Sequence, residues 1–551
     1  VIGGGLSGLA SAFFYQQRHG ADARVLVIEN NDDFGGHARR NEFTASNGRW
    51  LIGAGGSWNL DTPAIFSTVV TQMLDDVGVP TERFYEFNDQ DLYEKMGLGS
   101  AVYFDEESWG RSHLTMKSGR RMEDVLREAP MAFEAKRDLT NLIESPPDYM
   151  PGLSDAEKKK NLLDLTYLAF LTDYARVHPD VIKYLFSISS GWWATGIDLI
   201  GCLEAWVAGY PGFDGMDLRW TSEPPYGIAQ TNVNLWDYWT SGDLEPNIFF
   251  FPDGNHGVAR ALVRSLIPNA LDGESMESLV TNALRHEELD KETNKVRLRL
   301  NSTAVRVEHI PSPDRAQELR VSYSRNERLE QVTGGACIFA CWHGVIPNIA
   351  VDLPTYQAEA LGQSFKLPLI SGSVLIRNWE AFERMGIKDV AMPGSKNWSA
   401  FILDFPINMG SYESPSNPKD PMLLRFFAGP GATEPANSPR EAAAAASTRI
   451  WKTPFANYER SIRATLAGAM GGGGFDPPTD IEAITINRWP QGYAYEYLRP
   501  NDAFWPKGPT PAEIGSQPFG RYAFANSDRG PGAFAHVAIA QAHRAVQELS
   551  R

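Results

Sequence analysis

Val1-Ile2-Gly3-Gly4-Gly5-Leu6-Ser7-Gly8 opens the chain, and Glu29 closes a second apolar run, Arg24-Val25-Leu26-Val27-Ile28. Gly3, Gly5 and Gly8 match G-x-G-x-x-G at the end of an apolar strand. The first glycine allows a tight turn, the second lets a pyrophosphate approach the backbone, and the third lets a helix lie close on the strand. Leu6, Leu9, Ala10, Phe13 and Phe14 recur at i, i+3, i+4, i+7 and i+8, so a helix with one apolar face follows. Its N-terminus, around Leu6 and Ser7, offers amide donors and a positive dipole end to a diphosphate. Glu29, with Asn30 beside it, lies 21 residues beyond Gly8. A carboxylate there accepts both ribose hydroxyls of an adenosine and repels a 2'-phosphate. The stretch predicts an α/β chain with a Rossmann-type dinucleotide-binding domain.

The fingerprint alone does not separate NAD from FAD. Further on, Gly35-Gly36 is followed by His37, Arg39 and Arg40, either arginine being a candidate phosphate partner, and then by Leu51-Ile52-Gly53-Ala54-Gly55-Gly56-Ser57-Trp58. Near the other end come Asn487-Arg488-Trp489-Pro490-Gln491-Gly492-Tyr493 and Arg521-Tyr522-Ala523-Phe524-Ala525-Asn526-Ser527-Asp528. A turn at 529–532 leads into a helix whose predicted buried stripe is Ala538, Ala542, Ala545, Val546 and Leu549.

Together these pieces resemble the flavin amine oxidase superfamily, and within it the bacterial spermidine dehydrogenases. The closer resemblance rests on residues 32–43, Pro211-Gly212-Phe213, Phe251-Pro252-Asp253-Gly254-Asn255 with Ala259-Arg260, Asn487-Arg488-Trp489-Pro490 and Ala542-His543-Arg544. It implies a Rossmann-type FAD-binding domain and a discontinuous α+β substrate domain. The implied cofactor residues are Gly3, Gly5, Leu6, Ser7, Gly8, Glu29, Asn30, Gly36, His37, Arg39, Gly53 to Ser57 (with Ala54, Gly55 and Gly56 between), Val305, Ala340, Ser527, Asp528, Phe534 and Ala535. Phe534 corresponds to one aromatic wall of the substrate cage, and Tyr493 or Tyr495 to the other. Trp489 stands beside them, and Glu496 is the candidate ammonium partner. Flanking aromatic faces hold an alkylammonium chain by cation–π and apolar contact. Cys202, Cys337 and Cys341 all lie outside the C-terminal motifs, so noncovalent FAD is expected.

The implied reaction is oxidation of a polyamine at a secondary-amine carbon, with hydride passing to flavin N5. Hydrolysis of the imine then gives an aldehyde and a shorter amine. The electrons go to haem b or another acceptor, and His37, His113 and His343 are the haem-ligand candidates. The superfamily's flavin-side lysine has no counterpart along residues 367–377, and Lys366 just precedes that run. This implies a dehydrogenase rather than an oxidase. Two other readings use the same scaffold: an amino-acid oxidase or desaturase, with Arg488 or Arg499 as carboxylate partner, and a non-catalytic binding protein like the Rab GDP-dissociation inhibitors.

The 551 residues suffice for two or three domains. The expected division is 1–58, 246–345 and 481–551 for FAD, and 59–245 and 346–480 for substrate. Within these, strands are expected at 295–301, 304–310, 319–324 and 336–340, and helices from Asp61-Thr62-Pro63 and over 258–266. Ser438-Pro439-Arg440-Glu441 reads as a capping box, residues 471–474 as a connection, and Lys158-Lys159-Lys160 as a solvated helix face. Three cysteines without CxxC exclude a disulfide scaffold and a cysteine zinc site. No apolar run reaches membrane-spanning length. A formal charge of -17 (51 basic against 68 acidic residues) suits a cationic substrate and argues against nucleic acid. The chain opens inside a strand without methionine, so a preceding segment is expected. Periplasmic location is implied by the resemblance, with cytoplasmic as the alternative, and oligomeric state is left open.

Overall fold

A parallel sheet forms where the glycine fingerprint predicts one. Strand β1 (Val25–Ile28) pairs in parallel with β6 (Val296–Arg299), and β10 (Cys337–Phe339) pairs in parallel with β16 (Tyr522–Phe524). Ile2 joins the two halves by bridging Ile28 and Phe339, both in parallel. The first helix, Leu6–His19, buries Leu6, Leu9, Ala10 and Phe14, while Phe13 is only partly covered. It packs against two more helices, His256–Leu266 and Ala535–Leu549, through one apolar cluster that includes Leu262, Ile539 and Ala542. The chain is described here from a computed structural model covering residues 1–221, 235–236, 245–502 and 508–549. Residues 222–234 and 237–244 of the expected helix-rich segment lie outside the described residues.

A hairpin of β2 (Arg40–Thr44) and β3 (Trp50–Ala54) carries the second glycine-rich segment away from the parallel sheet. A three-stranded antiparallel sheet, β7 (Ser302–Ile310), β8 (Glu318–Arg325) and β9 (Arg328–Gly334), covers one side. The sequence reading omits β9, a largely exposed strand with no apolar alternation to mark it. The largest sheet has seven strands in the order β15-β11-β14-β13-β12-β4-β5. These are β15 (Ile481–Ala494), β11 (Lys366–Ile376), β14 (Met422–Ala428), β13 (Ala400–Leu403), β12 (Ile387–Ala391), β4 (Gly99–Phe104) and β5 (His113–Met116). Every residue of β11 is buried, and β15 runs antiparallel beside it. Residues 481–494 therefore belong to this sheet, so a division at 481 cuts across its hydrogen bonding.

Several local expectations need correction. No α-helix begins at Asp61: Thr62 takes φ 53°, Pro63–Ile65 makes one 3-10 turn, and the α-helix is Thr68–Asp76. Lys158 does not face solvent. It is buried, pairs with Asp148 at 2.7 Å and donates to the Met216 carbonyl, while Lys159 sits over the Trp206 ring. Ser438 accepts the Glu441 amide, but the Glu441 carboxylate takes the Asn437 amide group, so only half the capping box forms. In the last helix the buried face is Val537, Ile539, Ala542, Ala545 and Val546; Ala538 and Leu549 lie off it.

Candidate active site

Close backbone approach organises the nucleotide end. A methyl group on Gly8 would lie 1.9 Å from the Gly3 carbonyl oxygen, so only glycine lets the first helix start so near the β-turn. Gly5 caps that helix without a side chain to occupy its leading amides, and the first turn has no acidic residue. That donor set suits a diphosphate. Gly5 also bridges Gly35, and the Gly35 amide donates to the Gly4 carbonyl at 2.9 Å. Glu29 is buried at the end of β1, where its carboxylate accepts the Gly4 amide at 2.6 Å and the Asn31 amide at 2.8 Å. Asn30 next to it is exposed. Arg39 is committed to Asp32 at 3.0 Å and Asp33 at 3.8 Å, and Arg40 is buried against Asp253. Val305 sits at a bulge in β7 with 41% of its surface exposed, although β7 begins beside Glu29.

The other motifs, hundreds of residues apart, are bonded to one another. The Trp489 indole donates to the Gly55 carbonyl at 2.8 Å, the Gly55 amide to Arg39, and the Ser57 amide to His37. Gly53 and Ala54 end β3 and lead into this crossing. The Asn526 amide donates to the Ser7 hydroxyl at 2.8 Å, and its side chain reaches the Ala340 carbonyl at 3.2 Å. Asn526 takes φ 81°, a region costly for any residue with a side chain. Ser527 follows in a 3-10 turn that ends ahead of the last helix, which begins at Ala535.

At the centre lies a pairing that sequence reasoning did not foresee. Lys366, the first residue of β11, pairs with Asp528 at 2.6 Å, and both side chains are only 4% exposed. The His343 amide donates to the other Asp528 oxygen at 2.9 Å, while His343 Nε2 bonds the Ala525 carbonyl. Burial raises the Asp528 carboxyl, but Lys366 and His343 outweigh it and hold the pKa below the ordinary value. His37 feels both Lys366 and Asp528, and its ring meets Trp489 edge-on. Its side chain keeps contact with solvent, while surrounding protein and the Lys366 charge drive its pKa down to about 4. Cys341 also lies near, within electrostatic reach of Glu29 and Asp528, and burial pushes its thiol up to about 12. The signal for Lys366 was a lysine heading an apolar run; no local pattern distinguishes it from a strand-end lysine.

Of the aromatic candidates, Phe534 and Tyr495 line separate clefts. Phe534 lines the first with Asp61, Trp192 and His536. Tyr495 and Tyr497 line the second with Phe365 and Asp528. The Tyr495 ring stacks on Phe365 and its hydroxyl bonds Asp502. Tyr493 donates to the Gly191 carbonyl at 3.1 Å and feels the Asp61 charge. Glu496 is buried and accepts the Ala533 amide at 3.4 Å, just before the last helix. Thus Tyr495 and Phe534 are not opposite walls of one cage; across the first cleft Phe534 shares the lining with Trp192.

Burial also lowers the imidazoles of His256 and His536 from 6.5 to about 4. With His37, these rings stay neutral in the fold while the unfolded chain takes up protons below about pH 6.5. Their contribution to stability is complete above that pH and drains away as pH falls toward 4. Urea midpoints are expected to drop between about pH 7.5 and about pH 5. His256→Gln, which removes a ring stacked on Phe34, should shrink that drop.

Residues 1–77 match the family described as an NAD(P)-binding Rossmann-like domain. Wild-type putrescine oxidase bound to putrescine superposes with a TM-score of 0.54 at 13% identity, over 100% of this chain and 98% of that one. Cyclohexylamine oxidase from Brevibacterium oxydans IH-35A superposes at 0.52 and 12%, over 100% and 98%. At such identities the likeness establishes the fold: a Rossmann-like nucleotide-binding domain within an amine-oxidase architecture. No curated protein sequence matches the chain.

Proposed function

We propose that the protein is an FAD-dependent amine dehydrogenase or oxidase acting on a polyamine of the spermidine type. The observation that carries this reading is one continuous track of bonded motifs. It runs from Glu29 and the Gly3–Gly8 turn, past Gly55–Ser57 and Trp489, to Asn526 and the Lys366–Asp528 pair. The donor set fits FAD: a buried carboxylate for ribose and an open helix N-terminus for the diphosphate. The N-terminus of the last helix suits the electron-rich edge of a reduced ring. Bound FAD would supply the hydride acceptor for the carbon next to the amine nitrogen.

The chain's own contribution is positional. Phe534 and Trp192 present aromatic surface to an alkylammonium chain, and orientation of the reacting carbon lowers the barrier without proton transfer by either ring. Water then adds to the released imine, so that spermidine and water give 1,3-diaminopropane and 4-aminobutanal while two electrons pass to the acceptor. That acceptor is not assigned. His37 meets the Trp489 ring edge-on, His343 spends Nε2 on Ala525, and His113 stands on β5 beside Phe104, so no haem ligand is assigned.

The amino-acid oxidase reading loses support from its two arginines. Arg488 is exposed and reaches the Ile450 and Thr453 carbonyls, and Arg499 pairs with Asp164. Neither lines either cleft. The test is mass-spectrometric analysis of products from spermidine and from a panel of amino acids. Formation of 1,3-diaminopropane is expected; turnover of an amino acid instead would overturn the proposal.

A further inference from the structure

The first cleft has the chemistry of a cation site beyond the reacting centre. His536 is stacked between Phe66 at 4.7 Å and Phe534 at 5.3 Å, both at 29°, making one continuous aromatic wall. Trp192 adds a second aromatic surface, and Asp61 supplies the carboxylate. The described lining contains no lysine or arginine, and His536 is neutral because burial holds its pKa at about 4. Glu245 adds further negative charge near Asp61 while accepting the Ala64 amide at 3.0 Å.

The backbone here is also strained. Thr62 takes φ 53°, a left-handed conformation that a β-branched residue rarely adopts. Thr62 leads into the 3-10 turn Pro63–Ile65, and Asp61 stands at the cleft, where its carboxylate accepts the adjacent Thr62 hydroxyl at 3.2 Å. An aromatic wall ending in a carboxylate matches a chain of methylenes ending in an ammonium.

We infer that Asp61 binds the distal, non-reacting ammonium of a di- or polyamine, with the Phe66–His536–Phe534 wall and Trp192 along its methylene chain. This rests on the amine-oxidising reading and deepens it: the cleft selects for a second positive charge. Asp61, not Glu496, is the ammonium partner, because Glu496 is already bound to the Ala533 amide and does not line the cleft.

The test uses the full chain with its cofactor, and calorimetric binding alongside turnover. The ligands are spermidine and N-propylbutylamine, a secondary monoamine with the same carbon spacing and no terminal ammoniums. Asp61→Asn is expected to weaken spermidine binding by about tenfold to a hundredfold, the loss for one hydrogen bond to a charged group. KM should rise in parallel, kcat should change little, and the monoamine should be unaffected. Asp61→Glu should recover part of the spermidine affinity. Equal losses for both ligands, or none for spermidine, would overturn the subsite. Asp61-dependent spermidine binding without any turnover would support the subsite and defeat the amine-oxidising reading. Spermidine turnover with no dependence on Asp61 would do the reverse.

Discussion

Lys366→Met is expected to destabilise the protein by about 3–5 kcal/mol, the cost of leaving one member of a buried ion pair without its partner. The pair is 2.6 Å long and 4% exposed on both sides, so neither solvent nor salt screens it appreciably. Asp528 would keep the His343 amide but lose the charge that holds its pKa down against burial. Sign matters here: a depressed carboxyl stabilises the fold above the ordinary carboxylate pKa, and that contribution disappears as pH falls through it. Urea denaturation should therefore show the Lys366→Met penalty at neutral pH and a smaller one in acid. Adding Asp528→Asn should recover much of the loss, because the stranded charge is then gone. A penalty below about 1 kcal/mol would mean that the pair is solvated.

Gly8→Ala is expected to remove flavin from the purified protein and to cost about 3 kcal/mol or more, at the upper end for overpacking. The added methyl would stand 1.9 Å from the Gly3 carbonyl oxygen, a backbone atom that cannot rotate aside. Relief requires the first helix to move off the turn, which takes its N-terminal amides away from the diphosphate. Flavin absorbance per mole of protein and the urea midpoint should fall together. Gly362→Ala is the control, since a methyl there meets nothing within 4 Å. It should leave both measurements unchanged.

The nucleotide end was legible because its chemistry is local. Gly3, Gly5, Gly8 and Glu29 sit at fixed spacings set by one strand, one turn and one helix, and the apolar periodicity from Leu6 to Phe14 names that helix directly. The strands near 296–299, 302–310, 318–325 and 337–339 were equally readable from their alternation. Tertiary burial was not. Lys158 looked like one of three solvated lysines until the fold brought Asp148 and the Met216 carbonyl to it. Lys366 and Asp528 lie 162 residues apart (528 − 366), and only the meeting of β11 with the end of β16 makes them a pair. The lining of the first cleft was not legible either. Tyr493 and Tyr495 are two residues apart, but β15 ends at Ala494, so the strand alternation that would keep them on one face stops between them. Trp192 and His536, which do share the lining with Phe534, carry no motif.

The central claim, that one bonded track from Glu29 to Asp528 holds a flavin that oxidises amines, is tested most directly by the absorption spectrum under anaerobic conditions. The protein is expected to be yellow as purified and to bleach when spermidine is added without oxygen. A protein that carries no flavin, or a bound flavin that spermidine and other amines leave oxidised, would contradict it.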